Sequence, residues 1–309
     1  MLHAFHAKNE SMDLRALRVF VEVVKLGGFT AASRSVHLTQ PSISRVIKQL
    51  EDDLGHRLLT RDHREVTLTD AGNILYTHAL TLLGESARLR TALSDMADLE
   101  KGELRLGIPP LGGTMFVPLI KRFKSRYPGI ELHLHELASK PTELALTNAE
   151  LDLGTLLLPV DPSRFNSVPL SRDRLMLVTQ LESSWSQRKQ VKLDELREES
   201  FILFPDGYGL NDLIHTACQA AGFTPLVAGR SSHTQLITGL VDSGMGVALL
   251  PMSVVHDATN VAVIELTSPS IAWHIGLAWL QGTYLSHAAK AMLQMVKQHP
   301  LPSARPRRG

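Results

Sequence analysis

The chain has 309 residues, of which 44% are hydrophobic and 20% are charged, with a formal net charge of +1. This composition is that of a globular protein of two or three domains, and the near-neutral charge excludes a polycation that binds nucleic acid over its whole length. The single cysteine, Cys218, excludes an intramolecular disulfide and a cysteine-rich zinc site, and it fits a reducing compartment.

The two ends of the chain predict neither ordered structure nor a membrane segment. The first residues lack an apolar core with a cleavage site, so no signal peptide is expected, and no apolar run is long enough to span a membrane. Residues 1–11 are interpreted as a flexible leader. The proline-rich, basic residues 299–309 are interpreted as a flexible tail that is solvated or touches DNA.

The region 12–69 begins with two short helical patterns. Apolar residues at helical spacing predict one helix over 14–24 and a second over 30–36. The glycine pair at 27–28 ends the first helix. Small alanines in the second helix allow another helix to approach closely.

A third helix is predicted to begin after Thr39, which has the side chain of a good N-cap. Pro41 is tolerated there, because its missing N–H would have no partner in the first turn. Ile43 and Ile47 belong to the predicted buried face, and Gly55 ends the helix.

A hairpin pattern follows the third helix. Residues 58–59 and 66–68 are short extended segments, and the polar residues 61–64 form the tip between them. This arrangement predicts a wing beside the helices. Thr69 is predicted to cap the helix that comes next.

A proline-free stretch from Asp70 to about Asp98 predicts one long helix within a linker over 70–100. Its apolar residues follow alternating spacings of four and three, which is the pattern of a coiled-coil seam. Two interpretations stay open. The helix packs on its own domain, or it pairs with a second copy, which is favoured because separate domains flank it. The predicted dimerisation residues are Leu75, Ala79, Leu82, Leu89 and Leu93.

After Gly102 the pattern changes to strands that alternate with helices, which is typical of an α/β fold with largely parallel sheets. The length suits two lobes around a cleft, with ligands at the carboxyl ends of the strands. Residues 101–165 and 265–298 are predicted to form lobe I, and 166–264 lobe II. The predicted strands are ELRLGI, GIELHLHEL, LDLGTLLL, RLMLVTQ, SFILF, PLVAGR, GVALL and IGLAWL, and the helices lie at about 114–126, 142–149, 209–221, 233–243 and 285–298.

Four motifs of the N-terminal region occur in a specific order and spacing: Phe-Thr-x-Ala-Ala, Thr-Gln-Pro-Ser-Ile-Ser-Arg, Leu-Glu-x-x-Leu-Gly and Leu-Thr-x-Ala-Gly. Together they resemble the winged helix-turn-helix of LysR-type transcriptional regulators. GELRLGIPP, ELDLG, FILFPDGYGLNDLI, AAGFTP and LVDSGMGVALLP are similar to segments of that family's effector-binding domain. The resemblance covers about residues 12–298.

The resemblance implies an α/β protein with an all-α-type winged helix-turn-helix at its N-terminus, a long linker helix and a two-lobed effector domain like that of periplasmic binding proteins. It implies a cytoplasmic regulator that binds double-stranded promoter DNA as a homodimer or homotetramer. A small-molecule effector is expected between the lobes, and no membrane partner is expected.

The N-terminal half of the third helix is the part that a helix-turn-helix presents to base edges. Arg45 is the candidate for a bidentate guanine contact, Gln40 for adenine or phosphate, and Lys48 for phosphate. The acidic residues 51–53 offset this basic charge. The predicted DNA-binding residues are Thr30, Arg34, Thr39, Gln40, Pro41, Ser42, Ser44, Arg45, Lys48, Arg61 and Arg64.

The effector residues are predicted from the ends of strands, where helix N-termini and hydroxyl groups favour a carboxylate or a similar anion. A small organic acid is therefore expected. Many relatives have a hydroxyl residue where this chain has Pro109-Pro110, so the anion contact shifts to Thr114 or to the backbone. Asp206 favours a polar or amine-bearing ligand instead, unless its side chain faces outward. The predicted set is Pro110, Gly112, Gly113, Thr114, Ser139, Phe204, Pro205, Asp206, His233 and Thr234.

Other chemistries find less support. His133 and His135 share one face of a strand, which suits a metal or a polar sheet face, and the second is favoured because no third ligand is near in sequence. No phosphate-binding loop, nucleophile elbow or His-Glu-x-x-His motif occurs, and no cofactor is expected. A solute receptor without a DNA role and a cytoplasmic α/β enzyme remain the alternatives.

Overall fold

The computed structural model describes residues 13–62, 65–95, 101–299 and 301, without the side chains of 61, 62, 65, 94 and 95. The chain forms two compact units, residues 1–90 and 91–309, which are described separately. The predicted leader, residues 1–11, lies outside the described residues. The same holds for most of the predicted tail.

The helices α1 to α3 form the core of the first unit, and they begin and end close to the predicted positions. Their apolar faces meet, because each helix carries buried residues at helical spacing. Leu17, Phe20, Ile43 and Ile47 are completely buried in the resulting cluster. The helices are α1 (Leu14–Lys25), α2 (Phe29–Ser35) and α3 (Gln40–Leu54).

The turn between α2 and α3 and the ends of α3 follow from local chemistry. His37 has a left-handed backbone (φ 52°) in the turn. Thr39 is the N-cap of α3, as predicted, and its side chain accepts the N–H of Ser42 at 3.4 Å. Gly55, at φ 68°, ends the helix in the left-handed conformation that glycine adopts without strain.

The predicted wing is an antiparallel hairpin of β1 (Leu59–Asp62) and β2 (Glu65–Leu68). Its base is tied to α3 through Glu51, which is 6% exposed. The Glu51 carboxylate accepts the backbone N–H groups of Leu58 at 2.9 Å and Leu59 at 3.3 Å. Glu51 therefore holds the base of the wing, a role that the sequence pattern did not predict.

The long helix α4 (Asp70–Asp95) begins at the base of the wing. Thr69 caps it, as predicted, since its Oγ1 accepts the N–H of Gly72 at 3.0 Å and donates to the Arg57 carbonyl at 2.7 Å. A Cβ on Gly72 would lie 2.0 Å from the Leu58 carbonyl oxygen. The last residue of the Leu-Thr-x-Ala-Gly motif is glycine because α4 passes so close to the backbone at the base of the wing that no side chain fits there.

The first part of the predicted seam of α4 is buried, and the later part is exposed. Leu75 and Ala79 are buried in the core of their own unit and are 9% and 0% exposed. Leu82, Leu89 and Leu93 are 46%, 62% and 59% exposed and lie on one stripe of the helix. The prediction that Leu75 and Ala79 pair with a second copy is wrong, because both belong to the buried core that α1–α3 form.

The second unit, within its described residues, contains one large mixed sheet and one small sheet. The large sheet has the order β4-β3-β5-β12-β6-β11-β7, with β10 also paired to β6. The small sheet pairs β8 with β9. The strands are β3 (Gly102–Ile108), β4 (Ile130–Glu136), β5 (Leu153–Leu157), β6 (Phe165–Thr179), β7 (Gln190–Lys192), β8 (Ser200–Leu203), β9 (Leu226–Arg230), β10 (Ala248–Pro251), β11 (Ala262–Ser268) and β12 (Ala272–Leu280).

Six helices in the described part of this unit cover the sheets, and five of them correspond to predicted helical patterns. The short α9 was not predicted. The helices are α5 (Val117–Arg126), α6 (Ser139–Thr147), α7 (Gly209–Ala220), α8 (Thr234–Asp242), α9 (Met252–Val255) and α10 (His287–Gln298), and 3-10 turns lie at 113–116 and 193–196.

Strand β6 belongs to both lobes, which moves the predicted lobe boundary. Its first part, up to Arg174, pairs with β12, and its last five residues pair with β10 and β11. The chain therefore enters lobe II inside β6 rather than at residue 166. It returns between β11 and β12 rather than at residue 265.

The large sheet is mixed, so the prediction of largely parallel sheets is wrong. β3 is parallel to β4 and β5, but β12 is antiparallel to β5 and β6. The reason is that β6 and β12 carry the chain across the lobes in opposite directions. β7, β11 and the first half of β6 were missed. β7 has only three residues, and the first half of β6 contains Pro169. β11 has neither feature.

The core of the second unit continues through both lobes and reaches into the predicted tail. Leu301 is 6% exposed, and its N–H donates to the Leu170 carbonyl at 3.2 Å. A half-buried ion pair joins β3 to the residue that precedes β5: Arg105 bonds Asp152 through Nη2 at 2.6 Å and Nε at 3.2 Å. Because Leu301 is buried and hydrogen-bonded, the prediction that residues 299–309 form a flexible tail is wrong for this residue.

Candidate functional sites

An exposed basic stripe runs along α3, opposite its buried face. Pro41, Arg45 and Lys48 are exposed and follow one another at spacings of four and three residues. Arg45 and Lys48 form no ion pair with any side chain in the described part of the chain. Their charges are therefore available to an external anion such as a phosphate.

The hydroxyl groups at the start of α3 are partly used inside the protein. The side-chain oxygens of Thr39 and Ser42 are 2.8 Å apart and share a hydrogen bond. Ser42 and Ser44 are half-buried, whereas Gln40 is exposed. Gln40 therefore extends the exposed stripe of Arg45 toward the N-terminus of α3. The two serines offer less of their surface to an external ligand.

The structure describes the predicted DNA-contacting side chains on α2 but not those on the wing. Thr30 and Arg34 are exposed on α2, the helix before the turn. Arg61 belongs to β1 and pairs with Val66, but its side chain lies outside the described residues, as does the whole of Arg64. The roles of the two wing arginines stay predictions.

A narrow cleft lies between the two lobes of the second unit. Its water-accessible volume is about 30 Å³, which has room for one or two water molecules. Lobe I supplies most of the lining, and lobe II supplies the start of α7. The lining residues are Pro109, Pro110, Leu111, Leu137, Ala138, Ser139, Thr155, Leu156, Leu157, Tyr208, Gly209, Leu210, Trp273 and Ile275.

The N-terminal ends of α6 and α7 meet across this cleft. The N–H of Gly209 donates to Ser139 Oγ at 3.4 Å, and the N–H of Lys140 donates to the Gly207 carbonyl at 3.5 Å. A Cβ on Gly209 would lie 2.6 Å from Leu157 Cδ1 and 3.1 Å from Ser139 Oγ. Two helix dipoles thus direct their positive ends to one point, which favours an anion.

The polar side chains of the cleft are neutral. Thr155 Oγ1 donates to the Gly107 carbonyl at 3.1 Å. Burial raises the pKa of the Tyr208 phenol, an effect that a hydrogen bond with Ser232 partly offsets and the charge of Glu136 reinforces. No Asp, Glu, Lys or Arg is among the lining residues in the described part of the chain. A ligand there meets an apolar wall with a few hydroxyl and amide groups.

Two of the predicted effector residues, Pro110 and Ser139, line the cleft, and several others point elsewhere. Phe204 is buried and stacks on Tyr208 with ring centroids 5.3 Å apart. Asp206 is 96% exposed and pairs with Arg230 at 3.6 Å, so its side chain faces outward. His233 and Thr114 are exposed and do not line the cavity.

The remaining predicted positions support the cleft from outside. Gly112, at φ 72°, lies against α9, where a Cβ would be 3.2 Å from Val254 Cγ2. The Pro205 carbonyl accepts Asn211 Nδ2 at 2.9 Å, and the buried Asn211 also bonds the backbone of Phe204. Gly113 and Thr234 are half-buried and are not among the lining residues.

Sequence reasoning missed most of the cleft lining. Tyr208 and Gly209 could have been found, since they lie at the start of a predicted helix. Thr155, Trp273 and Ile275 could not, because they belong to strands whose neighbours are distant in sequence. Trp273 is 3% exposed and forms part of the cleft wall.

The described residues give no indication of a metal site or a membrane span. His133 lies 3.5 Å from Glu131 and 3.8 Å from Glu103. Among the residues that the structure covers, no group of three His, Cys, Asp or Glu side chains is arranged to hold a metal ion. No helix within the same ranges is both long and apolar enough to cross a membrane.

Comparison with known proteins places both units in one family. Residues 14–73 match the family "Bacterial regulatory helix-turn-helix protein, lysR family", and residues 97–300 match "LysR substrate binding domain". The HTH-type transcriptional regulator YwbI of Bacillus subtilis is 36% identical over 93% of this chain and 97% of its own length. The transcriptional dual regulator GltC of the same organism is 30% identical over the same shares of the two chains.

Solved structures show the same fold. A full-length OxyR variant from Pseudomonas aeruginosa matches with a TM-score of 0.68 at 23% identity, over 96% of this chain and 99% of that one. CbnR, a LysR family transcriptional regulator, matches with a TM-score of 0.67 at 22% identity, over 94% and 99%. A helix-turn-helix unit, a two-lobed ligand-binding unit and relatives that are regulators rather than enzymes identify this chain as a member of the LysR family of DNA-binding transcriptional regulators.

Proposed function

We propose that this protein regulates transcription in the cytoplasm by binding double-stranded promoter DNA through α3, as a homodimer or homotetramer. Arg45 and Lys48 carry this proposal, since both are exposed on the outer stripe of α3 and have no ion pair among the described residues. CbnR, a structural neighbour, has been crystallised with its target DNA, at a TM-score of 0.53 and 24% identity over 93% of this chain and 99% of that one. Arg45 is assigned to a guanine edge and Lys48 to a phosphate.

The test uses fluorescence anisotropy with the DNA that adjoins the protein's own coding region. A scrambled duplex of equal length serves as control. Specific DNA is expected to bind about 1000-fold more tightly than the control, and the logarithm of the affinity is expected to fall linearly with the logarithm of salt. A strictly monomeric protein that ignores both duplexes at low salt contradicts the proposal.

The exposed stripe of α4 supports the homodimer. Leu82, Leu89 and Leu93 expose apolar surface in a row along the helix. A second α4 in an equivalent orientation covers such a row with identical side chains, which makes the contact self-complementary. Two DNA-binding units in one assembly raise the affinity for paired half-sites beyond that of one unit.

The cleft between the lobes is proposed to bind a small organic acid. The meeting ends of α6 and α7 near Ser139 and Gly209 support an anion, and the apolar wall supports a carbon skeleton. Since the present cavity has room only for water, binding requires the lobes to separate and close again around the ligand. The closure changes the distance between the lobes and, through α4, the arrangement of the DNA-binding units.

Calorimetry of the full chain with a panel of small carboxylates, amines and neutral alcohols tests the ligand class. Ser139→Ala removes a hydroxyl from the anion end, and Ser125→Ala on the outer face of α5 is the matched control. Carboxylates are expected to bind the control as they bind the unaltered protein and to bind Ser139→Ala several-fold more weakly. Binding of amines or alcohols alone contradicts an organic acid.

A further inference from the structure

Helices α5 and α10 of lobe I carry positive charge and no acidic side chain. Together they hold six of the chain's 32 lysine and arginine residues and none of its 31 aspartate and glutamate residues. Acidic residues three or four positions away commonly neutralise the cations of a helix, and neither helix offers such a partner. Because the whole chain has a formal net charge of only +1, this part of the surface is far more basic than the rest.

The two helices lie side by side on one face of the large sheet. α10 packs against both α5 and β3. Leu119 and Phe123 of α5 and Met292 and Val296 of α10 are buried in the same core cluster as Leu104 of β3. The apolar sides of both helices are thus covered by the sheet, and their polar sides face outward next to each other.

Five exposed cations form this outward surface, which we call the basic face. Its members are Lys121, Arg122 and Arg126 on α5 and Lys290 and Lys297 on α10. None of the five has an ion pair with an acidic side chain among the described residues. Arg126 and Lys290 lie 6.0 Å and 5.1 Å from the ring centroids of neighbouring tyrosines, contacts that leave their charges uncompensated by an anion.

The remaining basic residue of α5 and the acidic residue nearest to it in sequence do not belong to this surface. The Nζ of Lys124 donates to the carbonyls of Pro128 at 3.1 Å and Ile130 at 2.5 Å, so it serves the end of α5. Ile130 is 3% exposed in the core beneath α5, and successive residues of a strand point to opposite faces. Glu131 therefore points away from the basic face, and its Oε1 lies 3.5 Å from His133 Nε2.

The size and composition of the basic face suit the backbone of duplex DNA. α10 has 12 residues and is therefore about 18 Å long. One strand of DNA carries a phosphate for about every 3.4 Å of helix axis, so this length passes about five phosphates. Lysine and arginine are prominent among the residues that contact phosphates, and here five of them lie together without an acid to repel the backbone.

A protein partner and a membrane suit this surface less well than DNA. Protein interfaces are depleted of lysine and centred on aromatic or apolar side chains, whereas three of the five residues here are lysines. A helix that lies on a membrane inserts an apolar face, and the apolar faces of α5 and α10 are buried against the sheet. The chain also belongs to a family of DNA-binding regulators, so duplex DNA is a polyanion that it meets.

We propose that the basic face is a second DNA-contact surface, which binds the phosphate backbone of a duplex without reading its sequence. α3 and the basic face belong to different units, so they contact different phosphates of one DNA molecule. The second contact adds affinity and salt dependence but no base preference. This inference goes beyond the proposed function, in which α3 binds the promoter.

The experiment removes three charges from the basic face and measures binding to DNA of two lengths. The variant Lys121→Ala/Arg122→Ala/Lys297→Ala is compared with the unaltered full chain by fluorescence anisotropy over a series of salt concentrations. One duplex has about 60 base pairs and is the DNA that adjoins the coding region. The other has about 20 base pairs centred on the footprint of the protein, which is enough for two half-sites one helical turn apart.

The basic-face variant is expected to bind the long duplex at least about 10-fold more weakly at low salt. The slope of log affinity against log salt is expected to fall by about two to three, since each lost phosphate contact removes about 0.9. Affinity for the short duplex is expected to stay within about twofold, because that duplex ends before the phosphates that the basic face contacts. Preference among single-base variants of the site is expected to stay the same.

Two further variants assign the effect to the basic face. Lys189→Ala/Lys192→Ala/Arg197→Ala removes the same charge from exposed residues of lobe II, in a segment that also holds four acidic residues. This control is expected to bind both duplexes as the unaltered protein does. Arg45→Ala/Lys48→Ala removes the cations of α3 and is expected to weaken binding to both lengths. The melting temperatures of all these variants are expected to change little, because the replaced side chains are exposed.

The outcomes separate this inference from binding by α3. An unchanged salt slope in the basic-face variant, or an equal loss in the lobe II control, overturns the second contact, and weaker binding by Arg45→Ala/Lys48→Ala then keeps the role of α3. Phosphatidylglycerol vesicles that bind the unaltered chain but not the basic-face variant, with DNA binding unchanged, assign the surface to a membrane and overturn the inference. Failure of the unaltered protein to bind either duplex at low salt overturns both.

Discussion

The carboxylate of Glu51, in the last turn of α3, accepts the backbone N–H of Leu58 at 2.9 Å, and this bond joins the recognition helix to the wing. Glu51→Ala leaves that N–H and the N–H of Leu59 buried without a partner. We expect the free energy of unfolding of the first unit to fall by about 2–4 kcal/mol. Urea denaturation followed by circular dichroism measures the change.

Asp52→Ala is the control for Glu51, because Asp52 is adjacent and exposed. Its unfolding free energy is expected to stay within about 0.5 kcal/mol of the unaltered protein. Equal stability of the two variants would show that Glu51 does not hold the wing.

Arg45→Ala tests base recognition by α3. The loss of one bidentate contact is expected to weaken binding to specific DNA by about 1–3 kcal/mol and to reduce discrimination at one base position. Mobility-shift titrations with single-base variants of the site measure both effects. Arg18→Ala on α1 is the matched control, since Arg18 is exposed outside the basic stripe. Unchanged affinity and preference in Arg45→Ala would remove Arg45 from the interface.

The two halves of α4 are expected to respond differently to substitution. Leu89→Glu puts a charge on the exposed stripe, so sedimentation should show weaker self-association with the melting temperature little changed. Leu75→Ala opens a cavity in the buried core and should lower the unfolding free energy by about 2–4 kcal/mol while self-association persists. An unaltered dimer in Leu89→Glu would place the interface elsewhere.

Gly209→Ala is expected to force the lobes apart at the start of α7. The added methyl group would lie 2.6 Å from Leu157 Cδ1, and relief of this overlap should cost about 1–3 kcal/mol of stability. Gly239→Ala is the control. Its Cβ meets no atom within 4 Å, and the change to alanine inside α8 should stabilise by about 0.5–1 kcal/mol. Thermal unfolding of both variants gives the comparison, and equal shifts would contradict contact at Gly209.

The buried Cys218 predicts a loss of stability at high pH. Burial raises the pKa of its thiol from 9.0 to about 11, so the folded state keeps the proton while the unfolded state loses it. The stabilisation is complete below pH 9 and is lost as the pH rises through 11. In urea denaturation from pH 8 to 11, Cys218→Ala should lose less stability than the unaltered protein. Parallel pH profiles would show that the thiol does not contribute.

The same thiol should be inert in the native protein. The sole cysteine is 0% exposed. Because a protonated, buried thiol is a poor nucleophile, a thiol reagent should label Cys218 only after unfolding.

The local features of the first unit could be predicted from the sequence. The cap at Thr39, the stop at Gly55 and the apolar face of α3 depend on residues within a few positions of one another, and all three were predicted correctly. The wing followed from the short extended segments around a polar tip. Glu51 was missed because its partners are backbone N–H groups seven and eight residues away, which leave no trace in the side-chain pattern.

Local sequence patterns were enough to place most helices to within about three residues, to show which residues of α3 face outward, and to give the alternation of strands and helices that marks two lobes. Three features depended on tertiary contacts: which half of the α4 seam is buried, the outward orientation of Asp206, and the position of Ile275 between Leu157 and Ser171 in the sheet. The reason is the separation along the chain of the residues that interact. Helix periodicity and caps arise from neighbours within one or two turns, whereas the cleft joins strands that are far apart along the chain and meet only after the sheet has formed.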